Sequence, residues 1–440
     1  MKRLCLAAAL LATITSFTPI MAGEPGRDNS STDPARMGWM KGSPPPADKT
    51  ITFESGDHLR FPQIRWAVAH YRELLPTAGV PRGHGPVSAL PLALREDIDD
   101  VTFLPIGSDK PMTWAQSLDA NYTDAILILH KGRIVYERYF GVMTRDQPHL
   151  NFSVTKSYTG TLAAILIEEG KLDETAPVAR YTPELKNSGF GNATVRQILD
   201  MTPNIAYSET YAANSADFAR YTYAAKFGPR PKDYEGPTNL FDFLKTIKPA
   251  GPHGQHFSYA SVNTDILGLL IARVTGKPLQ TVLSERIWQP LGMENDASFT
   301  IDEQGTAMAG GGLSSTLRDQ ARFGEMMRLG GKFNGRQVVP ESIIADIRKG
   351  GNKDYFAAAG YKALPNWSYR GQWWVNHNAD GAFSARGVLG QAIYVDPKAE
   401  MVIVRFASGP QWSNSFYDPT TLPAYQAIAD KLKESNPPSH

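Results

Sequence analysis

Ser153-Val154-Thr155-Lys156 is the only Ser-x-x-Lys in the 440-residue sequence, and it opens a helical pattern rather than sitting inside a loop. Residues three apart on a helix share a face, so the Lys156 amine is expected beside the Ser153 hydroxyl. Leu162, Ala163, Ile165 and Leu166 follow at helical spacing and predict a buried face that gives the pair a rigid base. A serine at a helix start also has unpaired backbone N–H groups and the positive end of the helix dipole nearby, which favours a developing oxyanion. The tetrapeptide alone arises by chance about once in a chain this long, so its meaning depends on what accompanies it.

With 42% hydrophobic and 20% charged residues, the chain is expected to be globular with room for a substantial core. Its 45 basic and 44 acidic residues leave a net charge of +1, which gives no reason to expect nucleic acid or a charged membrane surface as partner. Lys2-Arg3, an apolar run from Leu4 to Met21 interrupted by Thr13, Thr15, Ser16, Thr18 and Pro19, and then Ala22-Gly23 read as a secretory signal peptide over residues 1–23. No comparable apolar segment of spanning length recurs, so no stable membrane anchor is expected after cleavage, and the mature protein is expected to be exported, periplasmic or secreted. The only cysteine, Cys5, lies in that leader. The mature chain therefore has no thiol for a disulfide, a metal site or a nucleophile.

Residues 24–115, with Ser43-Pro44-Pro45-Pro46 and scattered aromatics, read as a partly extended N-terminal extension. The main domain is expected over 116–436. Ala125–Leu129, a turn at His130-Lys131-Gly132, and Arg133–Tyr139 predict a β-hairpin. Helices are expected from Ser153 to near Gly170, and over 194–201, 239–246 and 262–274, the last stopped by Gly276. Thr316-Leu317-Arg318-Asp319 resembles a capping box for a helix through about Leu329. Gln391–Val395 and Met401–Phe406 predict a second hairpin, and 424–433 a closing helix. Hairpin, helices, hairpin and helix suggest one antiparallel sheet with a helical insertion, an α/β (α+β) architecture.

An unactivated serine is a poor nucleophile and needs a base. Lysine and tyrosine titrate near ~10, so either must shift by roughly 3 units to act at neutral pH, through burial or a second titratable partner. Tyr259, in Phe257-Ser258-Tyr259-Ala260-Ser261-Val262-Asn263, sits just ahead of a helix and can be aimed into a cleft from there. Arg386-Gly387-Val388-Leu389-Gly390-Gln391 precedes a strand, where glycines allow close backbone approach and a free strand-edge N–H could complete an oxyanion hole. His253-x-x-His256 lacks a helical frame and a third ligand and reads as a surface turn rather than zinc. Gly310-Gly311-Gly312 lacks the Gly-Lys-Ser/Thr of a phosphate loop, and no Gly-x-Ser-x-Gly elbow is present. Trp373-Trp374 could line a cleft or pack. Asp200 and Asp265 read as caps or salt-bridge partners.

Taken together, Ser153-x-x-Lys156, Tyr259-Ala-Ser261 about a hundred residues on, and a glycine-containing strand near the C-terminus resemble the serine β-lactamase and penicillin-binding-protein superfamily. Within it the chain is similar to class C β-lactamases, to family VIII carboxylesterases and especially to the nylon-oligomer (6-aminohexanoate-dimer) hydrolases. The likeness runs through Arg65-Trp66-Ala67 with His70, Tyr122–Ala125, Leu199-Asp200-Met201, Tyr259–Asp265, Val274-Thr275-Gly276, Gln372-Trp373-Trp374 and Gly390-Gln391 before Asp396-Pro397. It implies a β-lactamase/DD-peptidase-like fold: a central antiparallel sheet flanked by helices, plus a mostly helical lobe.

The resemblance also implies Ser153 as the acylated nucleophile, Lys156 and Tyr259 as the proton-transfer pair, and the backbone N–H groups of Ser153 and Val388 as oxyanion donors. Ser261, Tyr211, Gly390 and Gln391 are implied as substrate-binding or supporting residues, with no metal and no cofactor. Three departures concern specificity. Gly310 stands where a side chain can assist dimer hydrolysis, Thr222 stands where an acidic residue binds a substrate amine, and apolar Leu389 replaces a residue that often helps hold a carboxylate. The expectation is a serine hydrolase of small-molecule esters or linear amides. The alternatives are a β-lactamase or D-alanyl-D-alanine peptidase, or an exported binding or sensor protein that does not turn over.

Overall fold

The computed structural model describes residues 29–211 and 215–434. The signal-peptide expectation at 1–23 lies outside the described residues, as do the last two positions of the expected domain.

The centre of the molecule is a seven-stranded antiparallel sheet. The first hairpin supplies β1 (Thr123–His130) and β2 (Arg133–Tyr139). Lys131 and Gly132 both take positive φ, as a tight turn between right-twisted strands requires. The C-terminal third supplies β3 (Ser368–Arg370), β4 (Trp373–Val375), β5 (Phe383–Gly387), β6 (Gln391–Asp396) and β7 (Met401–Ala407). Their order is β3-β4-β5-β6-β7-β1-β2, so the first hairpin closes onto the last strand, with Leu129 opposite Val402 and Leu127 opposite Val404. The sequence pattern predicted only the two hairpins. The short strands β3 to β5 carry too few residues for a period-two signal.

β1 is buried along nearly its whole length, so its alternate residues feed two separate cores. Ala125, Leu127 and Leu129 join one core with Phe323, Met326 and Met327 of a helix at Leu317–Arg328. Ile126 and Ile128 join another with Trp114, Leu118, Tyr425 and Ile428, which belong to helices at Trp114–Ala120 and Asp418–Glu434.

The helix that follows Ser153 is α1 (Val154–Glu168), and the helix after Tyr259 is α2 (Ser261–Thr275), ended by Gly276 in the left-handed conformation. They pack against each other as the spine of the second lobe. A one-sided apolar face was expected for α1, but it is buried nearly all round, including Thr155, Lys156, Ser157, Thr159 and Thr161. Its serine and threonine hydroxyls find partners locally or across the lobe: Ser157 donates to the Gln372 carbonyl (2.7 Å) and Thr161 to the Ser157 carbonyl (2.7 Å). A hydroxyl paired in this way can be buried without an orphaned polar atom.

A second sheet contradicts the expectation of one. Thr77–Val80, Ala297–Thr300, Leu313–Ser315 and His149–Leu150 are paired in that order. Its first strand comes from the segment read as an extension. Trp39, Ile51, Ile64, Trp66 and Tyr71 of that segment lie in the same core as α1, and the Leu150 N–H donates to the Val68 carbonyl (2.8 Å). Its helices, Pro34–Met37, Ile64–Ala67 and Tyr71–Leu74, are single turns too short to show periodicity. The Thr316 expectation also changes. Thr316 Oγ1 donates to Asp319 Oδ2 (2.8 Å), and Asp319 accepts the Glu294 and Asn295 N–H groups, so no capping box forms there. Among the described residues no single helix is long and apolar enough to cross a membrane.

Candidate active site

Ser153 stands where the strand His149–Leu150 turns sharply into α1. The turn is made at Phe152, whose φ of +46° is strained for an aromatic residue. Its ring is held edge-on by Trp412 and Phe227, which keeps the strained turn in place. Ser153 thereby heads the helix and lines a cleft of about 610 Å³ between the sheet and the helical lobe.

Lys156, one turn on, is 1% exposed, and its Nζ lies 2.8 Å from Ser153 Oγ and 2.7 Å from Ser261 Oγ. It also donates to the Gly310 carbonyl. Burial lowers its pKa to about 8, against the opposing pull of Glu209 and Asp265. Tyr259 approaches from the loop ahead of α2, with Lys156 Nζ 5.1 Å from its ring centre. Burial, and then the Glu209 charge, push its phenol well above its ordinary value, while a hydrogen bond with Ser153 pulls the other way. The two groups expected as a proton-transfer pair are therefore shifted in opposite directions. Lys156 is the one brought toward neutrality at physiological pH, and Tyr259 stays a protonated phenol.

Ser261 stands at the start of α2, between Lys156 and a carboxylate not among the expected site residues. That carboxylate is Glu209. Its Oε1 accepts from Ser261 Oγ (2.7 Å) and from the Tyr211 hydroxyl (2.9 Å), and its Oε2 accepts the Ser261 N–H. Its only sequence signal is an acidic residue inside Tyr207-Ser208-Glu209-Thr210-Tyr211, two positions before Tyr211. Asp265 was expected as a cap or salt-bridge partner. It is instead a buried carboxyl that accepts from Tyr221 (2.8 Å) and the Gly310 N–H (3.1 Å), with a pKa pushed up to about 7 by burial. Asp200 does form the expected ion pair, with Arg370 (2.7 Å).

Tyr211 lines the cleft, stacked with Trp412 at 6.1 Å between ring centres, and Val388 and Gly387 line it opposite Ser153. Trp374 lines it too, beside Tyr259, while Trp373 points to the other face of β4 and is fully buried. Gly390 and Gln391 lie behind the cleft. Gln391 donates to the Val388 (3.3 Å) and Ala407 carbonyls, and the Gly390 N–H donates to Asn414 (3.1 Å), so they brace the Val388 turn rather than face a substrate.

Leu389 is 1% exposed with φ +63°, and its N–H donates to the Trp412 carbonyl. A side chain turned into the core does not face a substrate, so the apolar character of Leu389 does not bear on specificity. Arg386 is the charged group on that strand that does line the cleft. It lies over Trp367 and Trp374 and is paired with Asp418.

The two other specificity positions also lie off the cleft. A Cβ on Gly310 would come within 2.9 Å of the Ser261 carbonyl, so a side chain has no room there. Thr222 is buried and donates to the Ala219 carbonyl (2.8 Å). His253 accepts the Asn204 N–H (2.9 Å) and donates to Asn192 (2.9 Å), and among the described residues no cluster of His, Cys, Asp or Glu is arranged to hold a metal ion.

Residues 115–426 match the Beta-lactamase family. The 6-aminohexanoate-dimer hydrolase of Paenarthrobacter ureafaciens is 36% identical over 350 residues, which cover 79% of this chain and 86% of that protein. A solved structure from Bacillus anthracis, assigned as a 6-aminohexanoate-dimer hydrolase, is 34% identical and superposes with a TM-score of 0.80, covering 89% of this chain and 99% of that one. A family VIII carboxylesterase shares the fold at 19% identity and a TM-score of 0.53, over 70% of this chain and 92% of that one.

Proposed function

The chain belongs to the beta-lactamase family, as a serine hydrolase similar to the 6-aminohexanoate-dimer hydrolases; on that premise we propose that it cleaves neutral esters and linear amides through an acyl-enzyme on Ser153. The observation that carries this reading is the buried Lys156 amine, 2.8 Å from Ser153 Oγ at the base of an open cleft.

Neutral Lys156 takes the Ser153 proton as Oγ attacks the substrate carbonyl carbon. The oxyanion that forms is held by the N–H groups of Ser153 and Val388. The tetrahedral species collapses by breaking the bond to the leaving oxygen or nitrogen. Tyr259 gives that atom its proton and is reprotonated from Lys156. Water then attacks the acyl carbon, with the same groups moving protons in reverse, and frees Ser153. Lys156 and Tyr259 both hydrogen-bond the Ser153 side chain, so the proton passes between them through the groups at that oxygen. The pairing of Arg386 with Asp418 supports a substrate with no carboxylate beside the scissile bond, because that guanidinium already has its partner.

A panel of a short p-nitrophenyl ester, the aminohexanoate dimer, a D-alanyl amide and a chromogenic cephalosporin tests the reading. Ester and linear amide should turn over, and Ser153→Ala should abolish both turnover and fluorophosphonate labelling. Turnover surviving in pure Ser153→Ala protein refutes the mechanism, and a burst without steady turnover identifies a sensor. We also propose that the mature chain is exported, on the pattern of residues 1–23; Edman sequencing of secreted protein should find its N-terminus near Glu24.

A further inference from the structure

We propose that Glu209 is a positioning residue that sets the direction of the hydrogen bonds around the general base, acting through Ser261. This rests on the assignment of Ser153 as nucleophile and Lys156 as its base.

An ionised carboxylate only accepts, and a serine hydroxyl has one proton to give. Ser261 Oγ gives that proton to Glu209 Oε1 at 2.7 Å, so toward Lys156, also at 2.7 Å, it can only accept. The Gly310 carbonyl can only accept as well, and its peptide is fixed by the Gly310 N–H on Asp265 (3.1 Å), itself bonded by Tyr221 (2.8 Å). A neutral amine has two N–H bonds and one lone pair. Ser261 and Gly310 take the two N–H bonds, and the lone pair is left facing the Ser153 hydroxyl at 2.8 Å.

If the Ser261 hydroxyl turned round, it would donate into that lone pair and remove the base. Glu209 prevents this, and its own orientation is locked by the Ser261 N–H and the Tyr211 hydroxyl. The groups facing Lys156 from the surrounding elements are Glu209, Asp265 and Tyr259. Both carboxylates raise the Lys156 pKa, so loss of the Glu209 charge lowers it.

The test is the rate of fluorophosphonate labelling of the full chain across pH, beside ester turnover. Labelling of the wild type and none of Ser153→Ala establishes the nucleophile independently of Glu209. In Glu209→Gln the amide can donate to Ser261 and reverse the chain. Labelling and kcat should fall at least about tenfold with KM little changed, and the acid limb should move to lower pH. Glu209→Asp, which keeps the charge, should retain the wild-type limb.

Adding Glu209→Gln to Ser261→Ala should cost nothing more, because the effect runs through that hydroxyl. A merely structural role would change folding stability without moving the limb. Wild-type rate and limb in Glu209→Gln, or losses that multiply in the double variant, overturn the proposal. If Glu209→Gln does not fold, Ser261→Ala decides alone: a loss of at least about tenfold supports the proposal, and wild-type kinetics overturn it.

Discussion

Lys156 and Tyr259 share a site and are driven apart by it. Burial penalises the charged form of each, which lowers the amine and raises the phenol. Lys156 cannot accept a proton while protonated, so kcat/KM should rise with pH along an acid limb near 8. A pH–rate profile on the ester checks this, and a limb near 10 would show an unperturbed lysine. Linkage gives the same shift a stability signature. The folded pKa lies below the unfolded value of 10.5, so between about 8 and 10.5 the native state binds fewer protons and Lys156's contribution to stability rises with pH. The stability of wild type relative to Lys156→Met should therefore improve by about 3 kcal/mol across that window, measured by urea unfolding. Tyr259 as acid makes a chemical prediction. Tyr259→Phe should slow an amide by about a hundredfold and a p-nitrophenyl ester much less, because that phenolate leaves without a proton.

The helix α1 carries Lys156, follows directly on Ser153 and is held on all sides. Its close approach to the β3–β4 turn occurs at Gly160, where a Cβ would lie 2.6 Å from Gln372 Cβ and 2.6 Å from the Gly371 carbonyl. Gln372 is itself fixed by Thr264 of α2 (2.8 Å), so the helix, the turn and α2 form one rigid unit. Gly160→Ala should lower stability by about 1–3 kcal/mol in urea unfolding, and should reduce kcat more than KM if the shift reaches Ser153. The strain at Phe152 belongs to the same unit. A positive-φ aromatic persists only while Trp412 and Phe227 confine its ring.

Across the molecule, the sheet supplies Trp374 and Arg386 and its β5–β6 turn Val388, while the helical lobe supplies Ser153, Lys156, Glu209 and Tyr259. The cleft is therefore assembled from parts of the chain brought together by folding. Arg386 and Asp418 sit at that junction, paired and almost buried. Asp418→Asn should free the guanidinium and lower KM for esters carrying a carboxylate, at some loss of stability. A comparison of KM for a neutral and an acidic ester measures the change.

Much of this was legible from local patterns. The Ser153–Lys156 adjacency, the hairpin at β1–β2, the stop at Gly276 and the placement of Tyr259 ahead of α2 each depend on residues within a few positions of one another. Spacing and turn chemistry act at that range. The packing of residues 29–115, the strands β3 to β5 and the second sheet were not legible, because short elements carry too few residues to set a period.

The proton-directing contacts were hidden for a different reason. Glu209 meets Ser261 across 52 positions, and Lys156 meets Gly310 across 154. Which atom donates, which lone pair is left over and how far water is excluded are properties of groups that become neighbours only on folding. The amino-acid order thus specified which reactive groups the chain owns, and the folded packing decided which of them are buried together, which way each is shifted and which carboxylate they meet.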